Sequence, residues 1–267
     1  MAKERLDKIL AKDDRFRSRS QAKRAIMAGL VYVDDQQIDK AGTQIDTGAE
    51  IRVQDDLHSY VSRGGLKLEK AQKEFNLDFS NKIVIDIGSS TGGFTDCALQ
   101  NGAQQVYAID VGYNQLAWKL RDDERVIVME KTNARYLTAD DVEKKGDIGV
   151  VDVAFISLTK IIPALQKLLT AEGKIVTLIK PQFEAGPAKV GNNGVVKDKA
   201  VHKEVIEKIL SFALEQGLSP QELSYSPITG GKGHNIEYLA YFKCAGNNNK
   251  FKQSIKQVVQ DAHASLD

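Results

Sequence analysis

A chain of 267 residues, 42% hydrophobic and 27% charged, can bury one large core beside a small module, and its 21 Gly and 5 Pro exclude a collagen-like or low-complexity polymer. Its two cysteines, Cys97 and Cys244, exclude a disulfide scaffold and give no metal-ligand spacing. The formal net charge of +1 hides an asymmetry: residues 1–30 carry nine Lys or Arg against four acids, and residues 31–57 carry two against seven. A basic first segment on a balanced chain points to a local polyanion contact.

The opening Met-Ala-Lys-Glu-Arg lacks the apolar run of a signal peptide, and no stretch of roughly 18 apolar residues exists to span a membrane. The expected setting is cytoplasmic, without membrane association and without an obligate protein partner. Leu6, Ile9 and Leu10 recur at helical spacing and predict a short amphipathic helix over 4–11. Ser18 followed by Gln21 has the form of a capping box for a second helix over 19–28, with Gly29 as its left-handed stop. Strands are expected at 30–33 and 51–53, the first ending in an Asp34-Asp35 turn. Lys12, Arg15, Arg17, Arg19 and Lys23 lie in the connection and along the second helix, where they can follow a phosphate backbone. A solvated charged face accounts for those charges equally well.

The runs Arg5-Leu6-Asp7-Lys8-Ile9-Leu10, Ser18-Arg19-Ser20-Gln21-Ala22-Lys23 and Ile26 to Val33 resemble the S-four type of RNA-binding domain. That resemblance covers residues 1 to about 55 and implies that the second helix and its approach lie on structured RNA.

From residue 82 onward, strands and helices alternate. Strands are predicted at 82–87, 106–110, 126–129, 148–153 and 174–179, with helices at 92–101, 114–121, 158–170 and 200–216. Two late strands, 222–227 and 236–243, and a helix at 251–265 follow. The pattern predicts an α/β fold: a mostly parallel, doubly wound, Rossmann-like sheet behind a small α+β module, with ligand outside the strands' carboxyl ends. The expected domains are 1–57, a connection over 58–64, 65–246, and a tail over 247–267.

The first large strand exits through Asp86-Ile87-Gly88-Ser89-Ser90-Thr91-Gly92-Gly93-Phe94-Thr95. This is neither a dinucleotide fingerprint nor a phosphate-binding loop, so a nucleoside ligand without a pyrophosphate fits better. Asp110 closes the next strand, where a carboxylate can accept from both ribose hydroxyls. A tight turn and a loop acid remain the plain alternative. The loop resembles the S-adenosylmethionine site of class I methyltransferases, particularly the FtsJ-like ribose 2′-O-methyltransferases. The resemblance implies that Asp86, Gly88, Ser89, Gly92, Gly93, Phe94, Asp110 and Asp152 form the cofactor site, with Asn133 near the adenine.

Lys67, Asp152, Lys180 and Glu237 put charge before or at the ends of apolar strands, where it is costly unless paired. Two structural ion pairs would satisfy them. In this chain order they also resemble the catalytic tetrad of the same methyltransferases. The resemblance implies that Lys180 guides the hydroxyl proton, Asp152 orients its amine, and Lys67 and Glu237 hold the hydroxyl and the nucleotide. No metal is expected. The Gly-rich segment 181–199 is a candidate for closing over cofactor or RNA, with a plain surface loop as the alternative; the flexible loop 230–235 carries His234, a candidate RNA contact or simply a solvated loop histidine. Taken whole, the order of module, connection and larger domain resembles the TlyA (hemolysin A) family of ribosomal RNA 2′-O-methyltransferases acting on cytidines. The expected partner is ribosomal RNA or a ribosomal subunit. A membrane-lysing protein and a non-catalytic ribosome-binding factor are the competing classes.

Overall fold

In the amino-terminal unit, Met1–Ser59, the apolar spacing does form helices. β1 (Lys3–Arg5) leads into α1 (Leu6–Leu10), and α2 (Arg19–Met27) packs on it around Leu6, Leu10, Ala22 and Ile26. The computed structural model describes residues 3–13, 16, 18–27, 29–53, 60–230, 235–244, 251 and 253–266. β2 (Val31–Val33) is the centre of a three-stranded antiparallel sheet with β3 (Gln36–Ile38) and β5 (Ile51–Val53), while β4 (Gln44–Asp46) pairs with β1. Asp34 and Asp35 both take positive φ, 48° and 62°, as a two-residue hairpin turn between right-twisted strands requires. Strands β1, β3 and β4 are three residues each, too short to show an alternation in sequence.

Asp7 is fully buried in this unit. Its carboxylate accepts two hydrogen bonds from Arg5, both 3.0 Å, and two from Arg19, at 3.2 and 2.9 Å. The bond from Arg5 holds Asp7 down to about 2 against the opposing effect of burial, with Arg19 helping. Arg19 therefore serves the fold as well as any polyanion. Lys12 is exposed and pairs with Glu4 at 3.0 Å, and Lys23 is exposed. Arg15, Arg17 and the Gln21 side chain lie outside the described residues.

The larger unit, Tyr60–Asp267, begins with α3 (Gly64–Glu74) and then alternates. Its elements are β6 (Ile83–Ile87), α4 (Gly93–Gln100), β7 (Gln105–Ile109), α5 (Trp118–Arg121), β8 (Val126–Met129), β9 (Gly146–Val151), α6 (Ile162–Leu168) and β10 (Leu169–Ile179). There follow α7 (Pro181–Glu184), α8 (Lys199–Glu215), β11 (Ser219–Tyr225), β12 (Tyr238–Lys243) and α9 (Ile255–Leu266). They build one seven-stranded sheet of order β11-β12-β10-β9-β6-β7-β8. Every neighbouring pair is parallel except those of β12, which is antiparallel to both β10 and β11. Both faces are covered, so the central strands are mostly apolar. Val84 faces the layer of α3 and α4, and Ile85 and Ile87 face that of α6 and α8. The chain runs outward from β6 to β7 and β8, then returns to place β9 on the other side. That reversal opens a crevice at the carboxyl ends of the central strands.

Three expectations change. A helix, α3, stands at Gly64–Glu74, ahead of the first large strand, where no element is expected. The helix expected over 114–121 contracts to Trp118–Arg121, because the backbone N–H groups of Asn114, Gln115 and Leu116 donate to the Glu130 carboxylate instead of to a helical turn. The 181–199 segment is turn-rich: α7 and the 3-10 turns Pro187–Lys189 and Asn192–Gly194 occupy it. The Asn235 side chain ties it down, accepting from Val196 N–H at 3.1 Å and donating to the Gly194 carbonyl at 3.0 Å. Residues 231–234 of the second loop, His234 among them, lie outside the described residues.

Candidate active site

A cavity of about 640 Å³ lies at the carboxyl ends of β6, β7, β9 and β10, a volume suited to a small-molecule ligand. Gly88 turns the chain at the end of β6 with φ 85°. A Cβ there would meet the Asp152 carbonyl oxygen at 2.4 Å, so the loop and the exit of β9 pack main chain against main chain. Gly93 opens α4 just as tightly: a Cβ would stand 2.4 Å from Ser62 Oγ and 2.8 Å from Gly65 N. These close approaches bring Ser89, Gly93 and Phe94 to the cavity wall along with Ser62, Arg63 and Gly64.

Asp110, one residue past β7, lines the cavity opposite. Its Oδ2 accepts from Ser90 N–H at 2.9 Å and its Oδ1 from Gly112 N–H at 2.7 Å. Each carboxylate oxygen has room for a further donor. Asn133 also lines the cavity, and its side-chain oxygen caps the Ala134–Tyr136 turn through Arg135 N–H at 3.2 Å. Asp86 and Gly92 are not on the wall. Gly92 sits under Leu116 and Leu120. Asp86 is fully buried within β6, where Thr95 donates to it at 2.6 Å. Burial pushes its carboxyl up to about 7, the Thr95 hydroxyl pulls partly back, and the charges of Asp152 and Asp110 push further.

The four isolated charges form one connected row. Lys67, on the second turn of α3, donates to Glu237 Oε2 at 2.7 Å and lies 3.6 Å from Asp152 Oδ2. Lys180 pairs with the other Asp152 oxygen. Asp152 and Lys180 stand one residue beyond β9 and β10, and Glu237 one residue before β12, so each is at a strand end and none inside a strand. The row reads Glu237–Lys67–Asp152–Lys180, two cations alternating with two carboxylates, with side-chain exposures of 3%, 10%, 19% and 11%. Burial alone would lower Lys67, but Asp152 and Glu237 outweigh it and the net shift is upward. Burial alone would raise Asp152, but Lys67 and Lys180 outweigh it and the net shift is downward. Lys67 and Asp152 are thus each held ionised by their neighbours in the row.

Sequence reasoning missed several cavity residues. Ser62, Arg63 and Gly64 read as a connection. Phe155 lies three residues beyond Asp152 with φ 63° and 91% exposure, its ring 4.9 Å from that of Phe183 and tilted by 53°. A bulky residue with positive φ is strained, and such strain gathers at functional sites. Gln182 contacts Glu237 at 3.4 Å. The Pro-Gln-Phe-Glu segment after Lys180 was the available signal, read only as part of an insertion.

Comparison with known proteins now adds to this geometry. Residues 60–244 match the FtsJ-like methyltransferase family model and residues 4–51 the S4 domain model. The chain is 51% identical to the Bacillus subtilis (strain 168) protein YqxC, provisionally named an rRNA methyltransferase, over 99% of this chain and 95% of that protein. It is 40% identical to the Mycobacterium tuberculosis 16S/23S rRNA (cytidine-2′-O)-methyltransferase TlyA, over 90% of this chain and 89% of that protein. A solved structure from Streptococcus thermophilus, provisionally classed as a hemolysin, superposes with a TM-score of 0.80 at 49% identity. It covers 99% of this chain and 97% of that one.

Proposed function

The chain belongs to the FtsJ-like methyltransferases, in the S4-bearing TlyA family, and from that premise we propose that it transfers a methyl group from S-adenosylmethionine to a cytidine ribose 2′-hydroxyl of ribosomal RNA. The observation that carries the reading is the Glu237–Lys67–Asp152–Lys180 row beside a cavity that has Asp110 on its wall. Four charges could have been satisfied as two separate structural pairs; here one carboxylate, Asp152, serves both lysines.

S-adenosylmethionine, when bound, supplies an electrophilic methyl on a sulfonium. The residues present fit it. Asp110 would accept from its ribose hydroxyls with the lone pairs that Ser90 and Gly112 leave open, and Asn133 would border the base. Ser89, Gly93 and Phe94 would line the amino-acid end; Gly88 and Gly92 shape the turn behind them, and Asp86 supports it from within the sheet. A ribose hydroxyl is a poor nucleophile, and most of the work is alignment. Lys67 faces two carboxylates and is fixed as an ammonium that donates to the hydroxyl oxygen. Lys180 pairs with Asp152, whose charge Lys67 already shares; once it has lost its own proton to solvent, the Lys180 amine is assigned to take the hydroxyl proton as the methyl bonds to the oxygen. Glu237 anchors Lys67. Phe155, exposed on the cavity rim, offers a face on which an unstacked base can lie.

The amino-terminal unit supplies the grip on structured RNA through Lys12, Arg15, Arg17, Arg19 and Lys23. A ribosomal substrate places the protein in the cytoplasm. Among the described residues no helix is long and apolar enough to cross a membrane. The test is transfer of labelled methyl to ribosomal subunits from a strain lacking the modification, followed by digestion to nucleosides. Label in 2′-O-methylcytidine is expected; label in a base-methylated nucleoside, or none on either subunit or free RNA, overturns the proposal.

A further inference from the structure

We infer that Glu184 is a positioning residue that locks the Asp152 loop to the Lys180 segment and so sets the geometry of both; the inference rests on the methyltransferase reading. Glu184 ends α7, four residues after Lys180, and is 6% exposed. Its Oε1 accepts the Leu158 N–H at 2.7 Å and its Oε2 accepts the Ser157 hydroxyl at 2.7 Å. Lys208 Nζ donates to the Glu184 carbonyl at 3.0 Å and lies 3.5 Å from Oε2, so the carboxylate is buried but not bare.

The loop from Asp152 to Leu158 is held at two ends. Asp152 N–H donates to the Ile87 carbonyl at 3.0 Å, and Ser157 and Leu158 are held by Glu184. Between them Phe155 adopts φ 63°, a conformation that persists only where both flanks are fixed. The turn Leu158–Lys160 does not need Glu184 as its cap, since Ser157 Oγ already accepts Thr159 N–H at 3.2 Å. What Glu184 adds is the tie between two segments: one carries Asp152 and Phe155, the other Lys180 and Phe183. A buried carboxylate is costly to keep unless such bonds are made. Its loss would let Asp152 and Lys180, and the paired rings, drift apart while leaving the Asp110 side of the cavity in place.

The test compares Glu184→Ala, Glu184→Gln and Ser157→Ala in the full chain. Methyl transfer to ribosomal subunits, S-adenosylmethionine affinity by calorimetry, and hydrogen exchange at the Leu158 amide are measured. For Glu184→Ala, kcat should fall on the order of 10- to 100-fold, the scale set by small misplacements of reacting groups. Cofactor affinity should stay within about twofold, and Leu158 exchange should rise at least about tenfold, as expected when a buried bond opens. Glu184→Gln, which keeps an oxygen for Leu158, should recover most of the rate, and Ser157→Ala should fall between. Should Glu184→Ala not fold, the Gln and Ser157 variants decide by the same readouts. An alanine variant within twofold of the parent kcat, an affinity loss matching the rate loss, or unchanged Leu158 exchange overturns the inference. If the parent protein itself transfers no methyl to RNA, the functional proposal fails while Leu158 exchange still judges the tie.

Discussion

Removing Lys67 should reveal the charged row as one coupled unit. Lys67→Met keeps most of the side chain's volume but leaves Glu237, with a side chain only 3% exposed, facing no ammonium at 2.7 Å, and leaves Asp152 with Lys180 alone. Breaking a buried pair from one side costs about 3–5 kcal/mol, a large part of a domain's total of roughly 5–15 kcal/mol. Glu237→Leu should cost less, about 1–3 kcal/mol, since Lys67 keeps Asp152 at 3.6 Å. The double variant should be more stable than the sum of the singles by about 1–3 kcal/mol, the range of coupling between residues in one network. Urea unfolding gives the assay, with equal m values showing that the shift in midpoint is a shift in stability. All three variants should lose methyl transfer. Losses that add to within about 0.5 kcal/mol would mean that Lys67 and Glu237 are not coupled, and the row as described would not exist.

Other expectations follow from the same geometry. The Asp86 carboxyl, pushed up to about 7, stays protonated in the folded chain where the unfolded chain ionises at about 4. Its contribution to stability is therefore full below the ordinary carboxylate range and is lost as pH rises toward 7, with no further change above. Asp86→Asn should gain on the parent in urea unfolding between pH 5 and pH 7, and a constant difference would refute the assignment. Phe155→Ala should raise KM for ribosomal RNA about tenfold, since a stacked base is worth about 1–3 kcal/mol, and leave cofactor affinity unchanged; an unchanged KM would remove Phe155 from substrate binding. Asp110→Ala should weaken S-adenosylmethionine binding by at least about tenfold, the worth of a charge-assisted hydrogen bond, as read by calorimetry. Undiminished affinity there would move the cofactor's ribose elsewhere.

The parts legible in the sequence are those where folding and composition disagree. Strands β6, β7, β9 and β10 are mostly apolar because both sheet faces are buried, so a charge at the exit of one stands out. Asp110, Asp152 and Lys180 were visible for that reason, and the fold brings Asp152 and Lys180 together. Glu237 was visible between apolar neighbours although it precedes its strand. Helix α3 was hidden because it opens on Gly64 and Gly65, poor helix formers whose lack of a side chain lets α3 approach Gly93 of α4 and seats the Tyr60 ring. Phe155 was hidden just past the strand expected to end at 153, in the apolar run Val153-Ala154-Phe155-Ile156, where nothing local marks its positive φ or its exposure. The contraction of α5 depends on a carboxylate, Glu130, that reaches back from the next strand's exit, and no local propensity encodes it. Glu184 looked like one more acid in a Gly-rich insertion because its partners, Ser157 and Leu158, are distant in sequence.

The most direct test of the central claim is the Lys180→Ala protein, assayed side by side for S-adenosylmethionine binding and for methyl transfer to ribosomal subunits. The account predicts that the variant binds the cofactor as the parent does and forms 2′-O-methylcytidine at a rate lower by at least about a hundredfold, the share expected of a positioned proton acceptor. Full methyl transfer by Lys180→Ala would contradict it, because the amine at the end of the charged row would then have no part in the chemistry.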